Sequence, residues 1–133
     1  TLVFHAVGQL WRKRLPDGAP ERLTGNENVH EYQPSFSPDG RRLLYTTWSD
    51  AGMGAIYVRD AGGGGTGRRL TQEKGFYYGP RFSPDGRRIV YSKSGGGGLT
   101  GSLWSRDRGV YVMGADGGTP VRVALEGEAP QFN

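Results

Sequence analysis

Two histidines, His5 and His30, are the only imidazoles in the 133 residues, and cysteine is absent. His30-Glu31 begins like a zinc-binding His-Glu-x-x-His pattern, but the second imidazole position is Pro34, so two ligands cannot share a helical face. Glu27, His30 and Glu31 share a loop and have cation-binding chemistry, although solvated loop polarity is the plainer reading. No Gly-x-Ser-x-Gly elbow occurs, and the glycine runs at 62–65 and 95–98 do not lead into a helical pattern. Neither a serine nucleophile nor a phosphate cradle is therefore supported. Without thiols, a disulfide framework and a thiolate metal site are also excluded. The expectation is a chain with no catalytic residues, no cofactor and no metal of its own.

Recognition chemistry is better represented. Aromatic and arginine side chains, the usual anchors of protein interfaces, collect in four connecting stretches. Asn26 to Tyr32 carries His30, Glu31 and Tyr32, while Trp48 to Gly54 carries Trp48 and Asp50. Lys74 to Tyr78 carries Lys74, Phe76, Tyr77 and Tyr78, and the fifteen-residue stretch Ser94 to Arg108 carries Trp104, Arg106 and Arg108. The plainer reading of the tyrosines and Phe76 is that they cover the ends of packed strands.

The elements that position these stretches come from a repeat. Pro34-Ser35-Phe36-Ser37-Pro38-Asp39-Gly40-Arg41-Arg42-Leu43-Leu44-Tyr45 returns as Pro80-Arg81-Phe82-Ser83-Pro84-Asp85-Gly86-Arg87-Arg88-Ile89-Val90-Tyr91, position 80 standing for 34. In each copy an apolar strand enters Ser-Pro-Asp-Gly and another leaves it. Pro38 and Pro84 fix φ, Asp39 and Asp85 bond nearby backbone N–H groups, and Gly40 and Gly86 take positive φ. Short strands repeating at roughly 40 to 50 residues have the spacing of propeller blades.

Each unit lays out as four strands. The first ends in Phe36 or Phe82, the second is Leu43 to Thr47 or Ile89 to Lys93, and the third is Ala55 to Arg59 or Val110 to Met113. The fourth holds Arg69-Leu70-Thr71 or Val121-Arg122-Val123. Leu2-Val3-Phe4, Leu10-Trp11 and Arg22-Leu23-Thr24 match the second, third and fourth strands of an earlier unit. Ala129-Pro130-Gln131-Phe132 matches the entry to a first strand, Gln33-Pro34-Ser35-Phe36. The expectation is one all-β domain over 1–133: blade 1 from 1–24 plus a strand near 129–133, blade 2 from 33–72, and blade 3 from 79–125. In antiparallel blades the four stretches above fall at the end opposite the Ser-Pro-Asp-Gly turns, and they form the candidate binding face.

Composition agrees. The 24 glycines and 8 prolines suit a turn-rich chain, while 15 aromatics argue for a packed interior. The net charge of +4 repeats with the units, Arg41-Arg42 matching Arg87-Arg88 and Arg22 matching Arg69. Such charges read as solvated blade edges that block strand addition, so no nucleic-acid partner is expected. No run of about 18 apolar residues encodes a membrane span. The opening on Thr1 instead of Met reads as a cut-out piece or a processed form.

The Pro-x-Phe-Ser-Pro-Asp-Gly-Arg-Arg hairpin, followed by Tyr-Val and Arg-Leu-Thr, resembles the TolB-like β-propeller repeats, also described as PD40 or WD40-like, across essentially the whole chain. The resemblance implies a six-bladed ring, of which this chain holds three four-stranded blades' worth of strands. It also implies a periplasmic or secreted setting and a non-catalytic interaction or scaffold module that binds a peptide or protein. The alternative is the propeller portion of a larger amidohydrolase or peptidase, covering a catalytic domain supplied elsewhere. Two half rings supply one six-bladed ring, so a strand-exchanged homodimer is the expected assembly.

Overall fold

Both Ser-Pro-Asp-Gly turns close through the same hydrogen bonds in the computed structural model, which describes residues 1–63, 67–94 and 107–133. Gly40 N donates to Ser37 O and Gly86 N to Ser83 O, each at 2.8 Å, with φ of 71° and 69° at the two glycines. Ser37 Oγ donates to Asp39 Oδ1 at 2.6 Å and accepts from Arg42 N at 2.9 Å. Ser83 Oγ does the same with Asp85, at 2.5 Å, and with Arg88 N, at 3.0 Å. The carboxylates also accept from Arg41 N and Arg87 N. These donors, the serine hydroxyl first, hold both aspartates below the ordinary carboxylate value.

The strands leaving and entering these turns build three antiparallel sheets. Blade 1 orders β1 (Leu2–Ala6), β2 (Gln9–Lys13) and β3 (Glu21–Arg22). Blade 2 orders β4 (His30–Phe36), β5 (Arg42–Ser49), β6 (Met53–Asp60) and β7 (Arg68–Arg69). Blade 3 orders β8 (Phe76–Phe82), β9 (Arg88–Ser94), β10 (Gly109–Gly114) and β11 (Val121–Ala124). The first strands approach each other, β4 against β8, whereas β7 and β11 do not meet, so the sheets fan out from the β4–β8 side.

Alternation along the middle strands supplies one blade face to each neighbour. Leu43 and Tyr45 of β5 pack with Leu10 of β2, and Val3, Leu23 and Tyr57 join that cluster. Leu44 of β5, with Ile56 and Val58 of β6, packs on the other side against Ile89, Tyr91 and Met113 of blade 3. Leu43, Leu44, Ile56 and Ile89 are 0% exposed. Each such side chain contributes about 1.5–3 kcal/mol by leaving water, so inter-blade packing is the principal cohesion between the sheets. Stacked tyrosine pairs repeat at equivalent positions, Tyr45 with Tyr57 and Tyr91 with Tyr111, both with centroids 5.8 Å apart.

The expected twelfth strand forms no ladder within the chain. Residues 125–133 carry no strand, and Ala129 and Pro130 lie instead beside Gly79 of β8.

Candidate binding face

The connections at the two ends of the blades differ in chemistry. The turn end carries arginine–aspartate pairing: Arg42 and Arg68 both reach Asp116, at 3.3 and 3.8 Å. The opposite end is aromatic. There the β5–β6 hairpin is pinned to the approach to β8, because Gly54 N donates to Gly75 O at 2.9 Å. A Cβ at Gly54 would run into that carbonyl, so glycine permits the two loops to close.

This closure lines up rings from four strands. Trp48 of β5 lies 5.5 Å from Phe76 of β8, and Phe76 lies 6.3 Å from Tyr78. Tyr32 of β4 stacks with His30 at 6.2 Å and meets His5 of β1 edge-on at 5.8 Å. Between these groups lies a cavity of ≈350 Å³ lined by His5, Tyr32, Trp48, Phe76 and Tyr78, with Gln33, Thr46 and Thr47 among its polar atoms. Phe76 is 51% exposed, a large fraction for a ring on a strand. Asp50 and Lys74 stand exposed at the loop tips.

Other candidate residues are placed elsewhere. Glu31 is 4% exposed and turns into the seam between blades 1 and 2, where its Oε2 accepts from Leu10 N at 3.4 Å and from the Thr24 hydroxyl. Tyr77 points into the core, its hydroxyl donating to Glu73 O at 2.7 Å, and burial pushes its phenol up to about 12. Arg108 is exposed and pairs with Glu126 at 2.9 Å, away from the aromatic run. Trp104 and Arg106 fall in 95–106 and lie outside the described residues.

His5 joins the site although it was not among the residues expected on the binding face. Aligning Leu2-Val3-Phe4-His5 with Leu43-Leu44-Tyr45-Thr46 sets His5 at the level of Thr46, the pairing partner of Tyr32, and that alignment was the available signal. Gln33 N donates to His5 Nδ1 at 3.4 Å, which ties the ring to blade 2. A second hollow of ≈530 Å³ separates the end of blade 2 from blade 3, where Lys93 Nζ lies 2.7 Å from Glu73 Oε2. The lysine holds that carboxyl below its ordinary value, chiefly by hydrogen bonding. Among the described residues no cluster of three His, Asp or Glu residues could hold a metal ion, and no helix is long and apolar enough to cross a membrane.

Four-stranded antiparallel sheets stacked face to face and fanning from their first strands are the blades of a β-propeller. The blades are of the TolB-like kind. The chain is similar to the crystal structure of TolB from Acinetobacter baumannii, with a TM-score of 0.65 and 24% identity over 86% of this chain and 26% of that one. It is also similar to a protein assigned as TolB from Agrobacterium tumefaciens, with a TM-score of 0.55 and 21% identity over 92% of this chain and 57% of that one. The chain thus spans well under two thirds of either. At these identities the likeness establishes the fold. No protein-family model and no curated protein sequence matches the chain.

Proposed function

We propose that this chain is a non-catalytic interaction module that binds an extended peptide or protein segment across the aromatic face between blades 2 and 3. The observation that carries this reading is the contiguous run Trp48–Phe76–Tyr78 beside an open, aromatic-lined cavity. Rings held on strands have few rotamers to lose, so they offer large contact area at low entropic cost. The amide of Gln33, exposed beside the cavity, supplies a partner for a peptide backbone. Self-association into a six-bladed ring belongs to the same reading, as does the periplasmic or secreted setting that the resemblance implies.

Selection from a displayed library of linear peptides, followed by calorimetric titration, tests the binding role. Trp48→Ala and Phe76→Ala are each expected to weaken a selected peptide about thirtyfold, the effect of removing a central aromatic anchor. Lys74→Ala, at the rim, is expected to change affinity less than threefold, about 0.6 kcal/mol. Failure to select any binder, or full affinity in both aromatic variants, refutes the reading.

A further inference from the structure

Two side chains of β9 are buried with their polar ends incompletely bonded. Tyr91 and Lys93 lie two residues apart, so they project from the same side of the strand. The Lys93 side chain is 4% exposed, and its Nζ meets one acceptor, Glu73 Oε2, whose own side chain is 75% exposed. An ammonium carries three N–H donors, and burying its charge is costly unless those donors are bonded. The Tyr91 hydroxyl, on a residue 2% exposed, makes no hydrogen bond among the described residues. Burial pushes its phenol up, and no bonded donor opposes the rise.

The repeat identifies the missing partner. Tyr45 is the counterpart of Tyr91 in blade 2, since each stacks on a tyrosine of the third strand. The Tyr45 hydroxyl lies against Gly67, whose backbone N–H offsets part of the cost of its burial. Tyr57 pairs with Arg69 and Tyr111 with Arg122, so Gly67, two residues before Arg69, corresponds to Pro120. Proline has no N–H to give. A Cβ at Gly67 would also run into the Tyr45 hydroxyl, so a proline in that place has to stand off from Tyr91. The ≈530 Å³ hollow opens there, with Pro120, Tyr91 and Lys93 in its wall.

A second cation reaches the same wall. Gly109 is the ladder partner of Lys93, and a Cβ there would stand 2.9 Å from Arg122 Cδ and 3.2 Å from its Cγ. The Arg122 stem therefore lies over Gly109, one strand away from Lys93, and Arg122 lines the hollow. Its guanidinium has no acidic partner among the described residues. Three rings complete the wall: Tyr77 lies 5.7 Å from Tyr91, and Tyr91 lies 5.8 Å from Tyr111. The two acids at the hollow, Glu73 and Asp107, are exposed, so its buried side is the side that carries donors.

We propose that the hollow between blades 2 and 3 is a binding site for a carboxylate, carried by a free organic acid or by the C-terminus of a peptide. The carboxylate oxygens accept from Lys93 Nζ, the Arg122 guanidinium and the Tyr91 hydroxyl, and the apolar body of the ligand rests on the tyrosine rings. Bonds from two cations to one anion are the strong kind, and here they fall on a wall largely closed to water. The volume is that of a small-ligand site. A phosphate dianion fits less well, because Glu73 and Asp107 stand at the same hollow and repel a second negative charge. Trp48, Phe76 and Tyr78 have no part in this lining, so the site is separate in its chemistry from the aromatic face.

Titration calorimetry with phenylacetate, for the free acid, and N-acetyl-Ala-Ala-Phe, for the chain end, tests the site, with the corresponding amides as neutral controls. At least one acid is expected to bind with a Kd of about 1 mM or below, and its amide about tenfold more weakly. Lys93→Met and Arg122→Gln should each lower the affinity about tenfold and Tyr91→Phe about fivefold, while Arg41→Ala, outside the hollow, leaves it unchanged. Tyr91→Phe removes only an unbonded hydroxyl, so without ligand it should melt no lower than the parent chain. It therefore carries the test even where Lys93→Met does not fold. Binding of phenylacetate assigns a free acid, and binding of the peptide alone assigns a chain end. No binding of either acid at about 10 mM, equal binding of the amides, or full affinity in both Tyr91→Phe and Arg122→Gln overturns the proposal.

Discussion

The guanidinium of Arg42 caps the ring of Phe82 at 5.0 Å while its Nη2 donates to Gly86 O at 2.5 Å, so one blade's arginine holds the next blade's turn. The position explains two exposures. Thr1 stands where the arginine would reach Phe36, which is 39% exposed, while Phe82 is 9% exposed. Arg42→Ala is expected to destabilise by about 2 kcal/mol through loss of a charge-assisted hydrogen bond and the cation–ring contact. Arg41→Ala, one residue away and exposed, should stay within about 0.5 kcal/mol. Urea unfolding of both variants measures the difference.

Gly86 has room for a Cβ but not the backbone for one. A Cβ there would stand 3.6 Å from Arg42 Nη2 and 3.7 Å from Pro38 Cδ, ordinary contact distances, while φ is 69°. Gly86→Val is therefore expected to cost about 1 kcal/mol or more from conformation alone. Gly62→Val, at a glycine with open space around it and no positive φ, is the control and should cost less. Thermal melts of the pair check the contrast, and an unchanged midpoint for Gly86→Val refutes it.

Glu31 is expected to matter for stability and not for ligand binding. Glu31→Ala leaves the buried Leu10 N–H without its acceptor, a loss of about 2 kcal/mol. Glu31→Gln keeps an acceptor in place and should recover most of it. A peptide selected on the aromatic face should bind both variants, where folded, with unchanged affinity.

Acid should unfold the chain through three carboxylates. Asp39 and Asp85 are held below 3.8 and Glu73 below 4.5, by the serine hydroxyls and by Lys93 respectively. A carboxyl with a lowered folded value contributes stability above its ordinary value and loses it as pH falls through the lowered one. Midpoints should therefore be flat from neutral pH down to about 5 and fall below about 4. Asp39→Asn/Asp85→Asn is expected to start lower at neutral pH and to lose less between pH 5 and 2, as calorimetry at each pH would show.

The parts of this protein legible in its sequence are those whose physics is local. Ser-Pro-Asp-Gly specifies its turn because a fixed proline φ, a short acceptor side chain and a glycine act within four residues, and both turns form with the same bonds. Strand position and the sorting of loops to one end followed from the repeat, and His30, Tyr32, Trp48, Phe76 and Tyr78 do come together. Only the tertiary structure decided which polar and aromatic residues in those loops face outward. Glu31 turns inward because a neighbouring blade supplies the Leu10 N–H, and Tyr77 because it packs into the apolar cluster shared by blades 2 and 3. His5 enters the site for a similar reason: it meets Tyr32 of another blade, and no window of adjacent residues contains that partner.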